Sequence, residues 1–173
     1  LDLDGVIFMP AGNPVFKKHI EVSDAHHRVA MCRAAIEDNP AFDVSTLEVD
    51  RAGDTYTVDT LETLRAHYPE NVELYFIAGA DAILTLPQWR DAPRLARLAS
   101  FVGLNRPRSA SLQSPQIAKK LAGTGFRTLF VEAPLFELSS SDIRKRILGN
   151  RSVRYLIPPA VLEYIESVGL YGD

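Results

Sequence analysis

Leu74-Tyr75-Phe76-Ile77-Ala78-Gly79-Ala80-Asp81-Ala82-Ile83-Leu84-Thr85-Leu86 decides the fold class. Its first half is a short apolar run rich in aromatic and branched side chains, which predicts a buried strand over Leu74–Ala78. After Gly79 the apolar residues return at helical spacing, which predicts a helix over Ala80–Leu86. A strand that passes into a helix through one glycine is the repeating unit of parallel α/β sheets.

The same alternation recurs on either side. Further strands are expected at Val6–Met9, Phe42–Val49, Phe101–Leu104 and Thr128–Val131. Further helices are expected at Asp24–Glu37, Val58–His67, Pro93–Leu98, Gln116–Leu121 and Ser141–Leu148. A last helix, Pro159–Ser167, follows Pro158, and proline suits a first helical turn. The pattern implies a parallel sheet with right-handed crossovers, helices on both faces and a helical C-terminal part. Ligands of such sheets bind beyond the carboxyl ends of the strands. The loops after Met9, Val49, Ala78 and Leu104 are therefore the places to look for chemistry. Arg106–Ser114 is polar and reads as a surface loop.

The bulk properties narrow the function class. A chain of 173 residues suits one domain, 1–173. Nineteen basic against 22 acidic residues give a formal charge of −3, which argues against a broad nucleic-acid surface. Cys32 is the only cysteine, so no intrachain disulfide or thiolate metal cluster is available, and a cytoplasmic setting fits. It falls in a helical pattern and reads as a small core residue. No apolar stretch approaches membrane-spanning length, no signal peptide is visible, and no membrane partner is expected. Gly5–Pro10 is already a buried-strand pattern, so residues upstream of Leu1 are expected in the intact protein.

Each loop carries candidate ligand groups. Gly12 and its flanking prolines make a turn after which Lys17, Lys18 and His19 can project to an anion; the plainer reading is an exposed basic loop. In Asp50–Leu61, Thr57 can cap a helix with Thr60 at the third position, and that helix start can receive a carboxylate or phosphate. An ordinary capped helix would look the same. Gly79 allows close backbone approach, and Asp81 could accept from a ribose hydroxyl or orient a metal-bound water. Trp89 offers a flat face to an aromatic ring, against the plainer reading of a core tryptophan. Arg106, just beyond a strand end, can meet phosphate. In Leu138–Arg146 the serines stand at a helix start, where unpaired N–H groups and the backbone dipole attract phosphate, and Arg144 and Arg146 add forked donors. Serine caps and solvated arginines are the plainer reading.

Taken together in their order, these stretches resemble one family. Val6–Gly12, Gly53-Asp54-Thr55-Tyr56-Thr57-Val58-Asp59-Thr60-Leu61, Ala78–Trp89, Phe101–Pro107, Leu138–Arg144 and the tail from Arg154 to Tyr171 are similar to bacterial nicotinate-nucleotide adenylyltransferases, HIGH-type nucleotidyltransferases with a Rossmann-like fold. The resemblance implies adenylyl transfer from ATP to nicotinate mononucleotide with Mg2+, giving nicotinate adenine dinucleotide and pyrophosphate in NAD biosynthesis, without a covalent enzyme intermediate. It implies that Gly79, Asp81, Arg106, Ser139, Ser140 and Arg144 bind ATP. It likewise implies that Thr57, Trp89 and one of Lys17 and Lys18 bind the mononucleotide.

The family's opening strand and its H-x-G-H element do not occur in 1–173, so the catalytic histidines are unassigned and a polypeptide beginning at Leu1 is expected to be catalytically crippled. His19, His26 and His27 lack the required spacing. Smaller departures are Ala80, Ser141 and Arg108, and Asn13–His19 departs from the family's usual loop. The sequence is compatible with a homo-oligomer. Two alternatives stand beside this reading. One is a related adenylyltransferase for nicotinamide mononucleotide or phosphopantetheine; the other is a nucleotide-binding relative without catalysis.

Overall fold

A computed structural model describes residues 1–14, 23–104, 119–132 and 138–172. The described chain is α/β with parallel strand pairing, as its alternating pattern requires. Lys17, Lys18, Arg106 and most of the helix expected at Gln116–Leu121 lie outside the described residues. The chain divides into two compact units, Leu1–Thr55 with Glu137–Asp173, and Tyr56–Phe136.

In the first unit, β1 (Val6–Phe8) pairs in parallel with β3 (Phe42–Val44), Val6 facing Phe42 and Phe8 facing Val44. The connection between them carries α1 (Ala25–Ile36). Asp24 caps that helix by accepting the His26 amide, so the helix begins one residue inside the predicted range. Two further strands of two residues each, β2 (Asn13–Pro14) and β4 (Asp54–Thr55), also pair in parallel. Neither is visible as a strand pattern in the sequence.

The expected strand Phe42–Val49 stops at Val44. Beyond it the hydroxyl of Ser45 accepts the Leu47 amide and the hydroxyl of Thr46 donates to Asp50, while the Asp50 amide bonds the Thr46 carbonyl at 2.8 Å. These local bonds close a turn where a ladder would otherwise continue.

The second unit holds α2 (Thr57–His67), then β5 (Tyr75–Gly79), α3 (Ala80–Ile83), α4 (Ala92–Leu98), β6 (Ser100–Leu104) and β7 (Thr128–Val131). The strands form one sheet in the order β5-β6-β7, all parallel, with Tyr75 opposite Ser100 and Phe101 opposite Thr128. The helix predicted over Ala80–Leu86 ends at Ile83, and a 3-10 turn occupies Leu86–Gln88. Pro87 accounts for the break, because it has no N–H to bond the Ile83 carbonyl and its ring crowds that carbonyl.

The core of this unit gathers Val58 and Leu61 of α2, Ala80 and Ile83 of α3, Leu95 of α4 and Phe101 of β6. Phe101 is fully buried between the rings of Phe76 and Phe126, at 5.8 and 5.2 Å between centroids. Gly103 is required beside it: a Cβ there would come within 2.6 Å of the Phe130 ring. Such a core pins the carboxyl ends of β5 and β6, and with them the turn at Gly79.

The first unit ends in two helices, α5 (Ser140–Leu148) and α6 (Pro159–Ser167). α6 packs on α1, where the Tyr164 hydroxyl and Nδ1 of His27 lie 2.7 Å apart and the hydroxyls of Ser23 and Tyr171 share a short bond.

Candidate functional site

Thr57, Gly79, Asp81 and Trp89 all belong to the second unit, and the residues next to them in sequence share its core. Tyr56, Ala78, Ala80 and Trp89 itself pack against the same cluster as Val58. Thr57 is the first residue of α2, and here the structure corrects the expectation that Thr57 caps the helix. Tyr56 takes the cap position in extended geometry and brings no side-chain hydrogen bond. The amides of Asp59 and Thr60 both bond the Tyr56 carbonyl, and the Thr60 hydroxyl bonds it too at 3.4 Å. An uncapped start on a helix of this length is suited to an anionic group.

Gly79 ends β5 and serves as the cap of α3, with φ −62° and ψ 146°. Those angles suit any residue, so the backbone itself does not call for glycine here. Asp81 follows in the first turn of α3 and is exposed.

Trp89 is half-buried just after the 3-10 turn. Its indole N–H donates to the Thr85 hydroxyl at 2.8 Å, and Phe76 meets its ring edge-on at 5.7 Å. One hydrogen bond and one ring contact fix the plane of the indole, which is what a stacking platform needs. Trp89 thus packs on the core and remains partly exposed.

Sequence reasoning passed over Arg90. Its guanidinium lies over the Tyr56 ring at 4.2 Å from the centroid and reaches Asp59 at 4.0 Å. On the facing surfaces of α2 and α4, Arg94 pairs with Glu62. Position alone signalled Arg90, since it directly follows Trp89.

In the first unit, Ser139 caps α5, whose first residue, Ser140, lies one before the expected helix start. Its hydroxyl accepts the Asp142 amide at 3.1 Å while the Asp142 carboxylate accepts the Ser139 amide at 3.3 Å, a reciprocal capping box. The S-x-x-D spacing was a legible signal for this. Ser140 and Ser141 follow, both exposed. Arg144 turns back toward the helix start, its Nη2 donating to the Ser141 hydroxyl at 3.2 Å. A cation there works against the positive end of the helix dipole, and an arriving phosphate would reverse that sign.

A second arginine organises the loop end of β1. Arg28 of α1 donates to the carbonyls of Ala11 at 2.6 Å, Gly12 at 3.4 Å and Ser23 at 3.0 Å. Gly12 is tightly enclosed, and a Cβ there would land on the Glu48 carbonyl. Nearby, burial pushes the Cys32 thiol up, with Arg28 acting in the other direction. A raised thiol is a poor nucleophile, in keeping with a packing role for Cys32.

Among the described residues no group of three or more His, Cys, Asp or Glu could hold a metal ion. No helix among them is long and apolar enough to cross a membrane.

Residues 1–146 match the cytidylyltransferase-like family model. The chain is 44% identical over 175 residues to a Corynebacterium jeikeium (strain K411) chain named "Probable nicotinate-nucleotide adenylyltransferase", covering 98% of this chain and 86% of that one. A chain of the same name from Roseiflexus sp. (strain RS-1) is 42% identical over 171 residues, covering 99% and 84%. The fold is similar to that of Plasmodium falciparum nicotinic acid mononucleotide adenylyltransferase complexed with NaAD. There the TM-score is 0.71 and the identity 21%, over 98% of this chain and 83% of that one.

Proposed function

This chain belongs to the nicotinate-nucleotide adenylyltransferase family, and on that premise we propose that it joins ATP and nicotinate mononucleotide in NAD biosynthesis. A phosphate oxygen of the mononucleotide attacks the α-phosphorus of ATP in line. The bond from that phosphorus to the bridging oxygen breaks, and its electrons leave with pyrophosphate. The product is nicotinate adenine dinucleotide. One observation carries this reading above the others: 44% identity to a member of that family across 98% of this chain.

The residues act by position and charge, since phosphoryl chemistry asks the protein mainly to align and to stabilise. Thr57, at the uncapped start of α2, meets the nicotinate carboxylate, and Trp89 stacks on its ring. Lys17 or Lys18 meets the mononucleotide phosphate. Gly79 and Asp81 line the ATP ribose. Ser139, Ser140, Arg144 and Arg106 hold ATP phosphate.

Mg2+ enters as the chelate of ATP. There its oxygens would come from phosphate and water, a common arrangement for this ion. Residues 1–173 are read as one nucleotidyltransferase domain, cytoplasmic and compatible with a homo-oligomer, without nucleic-acid or membrane partners. Light scattering tests the assembly.

The reading is tested by measuring kcat/KM of the intact protein with the acid mononucleotide, the amide mononucleotide and phosphopantetheine. A preference for the acid supports it. Preference for the amide removes the carboxylate role of Thr57, and ATP binding by calorimetry without any turnover identifies a non-catalytic relative.

A further inference from the structure

The side chain of Arg90 runs to the start of α2. It sits over the ring of the cap residue, Tyr56, and within 4.0 Å of Asp59 in the first turn. Its two partners therefore flank Thr57 in sequence. Asp59 suits the helix dipole, but it sets a negative charge at the helix end that also has to receive a carboxylate. We infer that Arg90 is a specificity-determining residue: by pairing with Asp59 and holding its own charge over the start of α2, it favours the acid mononucleotide over the amide. The inference rests on the reading that Thr57 meets the nicotinate carboxylate.

The two charges act oppositely on an arriving anion and barely at all on a neutral amide. Without Arg90, Asp59 loses a neighbouring positive charge and repels the acid substrate more strongly. Without Asp59, the attraction of Arg90 goes unopposed. Arg90 is itself half-exposed, with 56% of its side-chain surface accessible, so solvent weakens the effect. Its flat contact with Tyr56 also orders the segment that carries Trp89, a packing role that lysine would fill less well.

The test compares kcat/KM for acid and amide mononucleotides in Arg90→Gln, Arg90→Lys, Asp59→Asn and the double variant Arg90→Gln/Asp59→Asn. Arg94→Gln serves as control, because it removes the same charge from the Glu62 pair on the same two helices. The acid-to-amide ratio is expected to fall about three- to fivefold in Arg90→Gln and to stay near wild type in Arg90→Lys and Arg94→Gln. It is expected to rise in Asp59→Asn and to return toward wild type in the double variant. The Arg90→Gln effect shrinks as salt is raised, because the charges are exposed. Equal losses for acid and amide in Arg90→Gln, or an unchanged ratio beside wild-type acid preference, overturn this inference alone. A wild-type protein that uses the amide as well as the acid overturns the Thr57 reading and this inference with it.

Discussion

On the proposed function Trp89 serves the mononucleotide and Arg144 serves ATP, so their variants should fail in different ways. The indole of Trp89 is fixed by Thr85 and Phe76 and offers area, not charge. Trp89→Ala is expected to raise the KM for the mononucleotide by about tenfold, as loss of one good stacking contact implies, and to leave the ATP KM close to wild type. Arg144 is half-buried and, among the bonds described, is held only by the Ser141 hydroxyl, so its removal should leave the protein folded. Arg144→Ala should raise the ATP KM by roughly tenfold or more, the usual cost of a charge-assisted hydrogen bond. Steady-state kinetics with each substrate varied in turn check both; an unchanged ATP KM removes Arg144 from the phosphate site. Gly12 answers to stability instead. Gly12→Ala drives a methyl group into the Glu48 carbonyl, and denaturant unfolding should show a loss of roughly 2–3 kcal/mol.

The helix starts carry the next set of expectations. Ser139→Ala breaks one half of the capping box on α5 and should cost about 1 kcal/mol by denaturant unfolding. At the start of α1 the His26 amide, and then the His26 ring, hold the Asp24 carboxyl below its ordinary range. A group depressed by folding stabilises above its unfolded value of 3.8 and loses that contribution as pH falls through its lower folded value. Acid titration followed by circular dichroism should therefore show wild type losing stability relative to Asp24→Asn below about pH 4, with the two curves parallel above it.

How far such elements could be read in advance depended on how local their causes are. Thr128–Val131 and Pro159–Ser167 were legible to the residue, since branched runs and a proline start are local signals. β2 and β4 were not, because each is two residues long and exists only through its partner. The site followed the same rule. Gly79, Trp89 and the serines of α5 stood out by type and place, whereas Arg90 gains its meaning only when Tyr56 and Asp59 are found beneath it. The cap of α2 was misread because Thr57 has the right side chain for it, while tertiary packing of Tyr56 fixed the helix start one residue earlier.

Residues 1–173 are read as one nucleotidyltransferase domain, and that reading has a thermodynamic consequence. The intact protein should unfold in a single calorimetric transition whose van't Hoff and calorimetric enthalpies agree; two separated transitions would divide it. Adding ATP with nicotinate mononucleotide should raise the midpoint, because ligands that bind only the folded state stabilise it. The most direct test of adenylyl transfer follows the phosphorus atoms themselves. The intact protein is given nicotinate mononucleotide and ATP labelled in parallel at the α- and the γ-phosphorus, and the products are separated. The account predicts α-label in the dinucleotide and γ-label in pyrophosphate, in equal amounts. Label from the γ-position appearing on the mononucleotide, or released as inorganic phosphate with no dinucleotide formed, would contradict it.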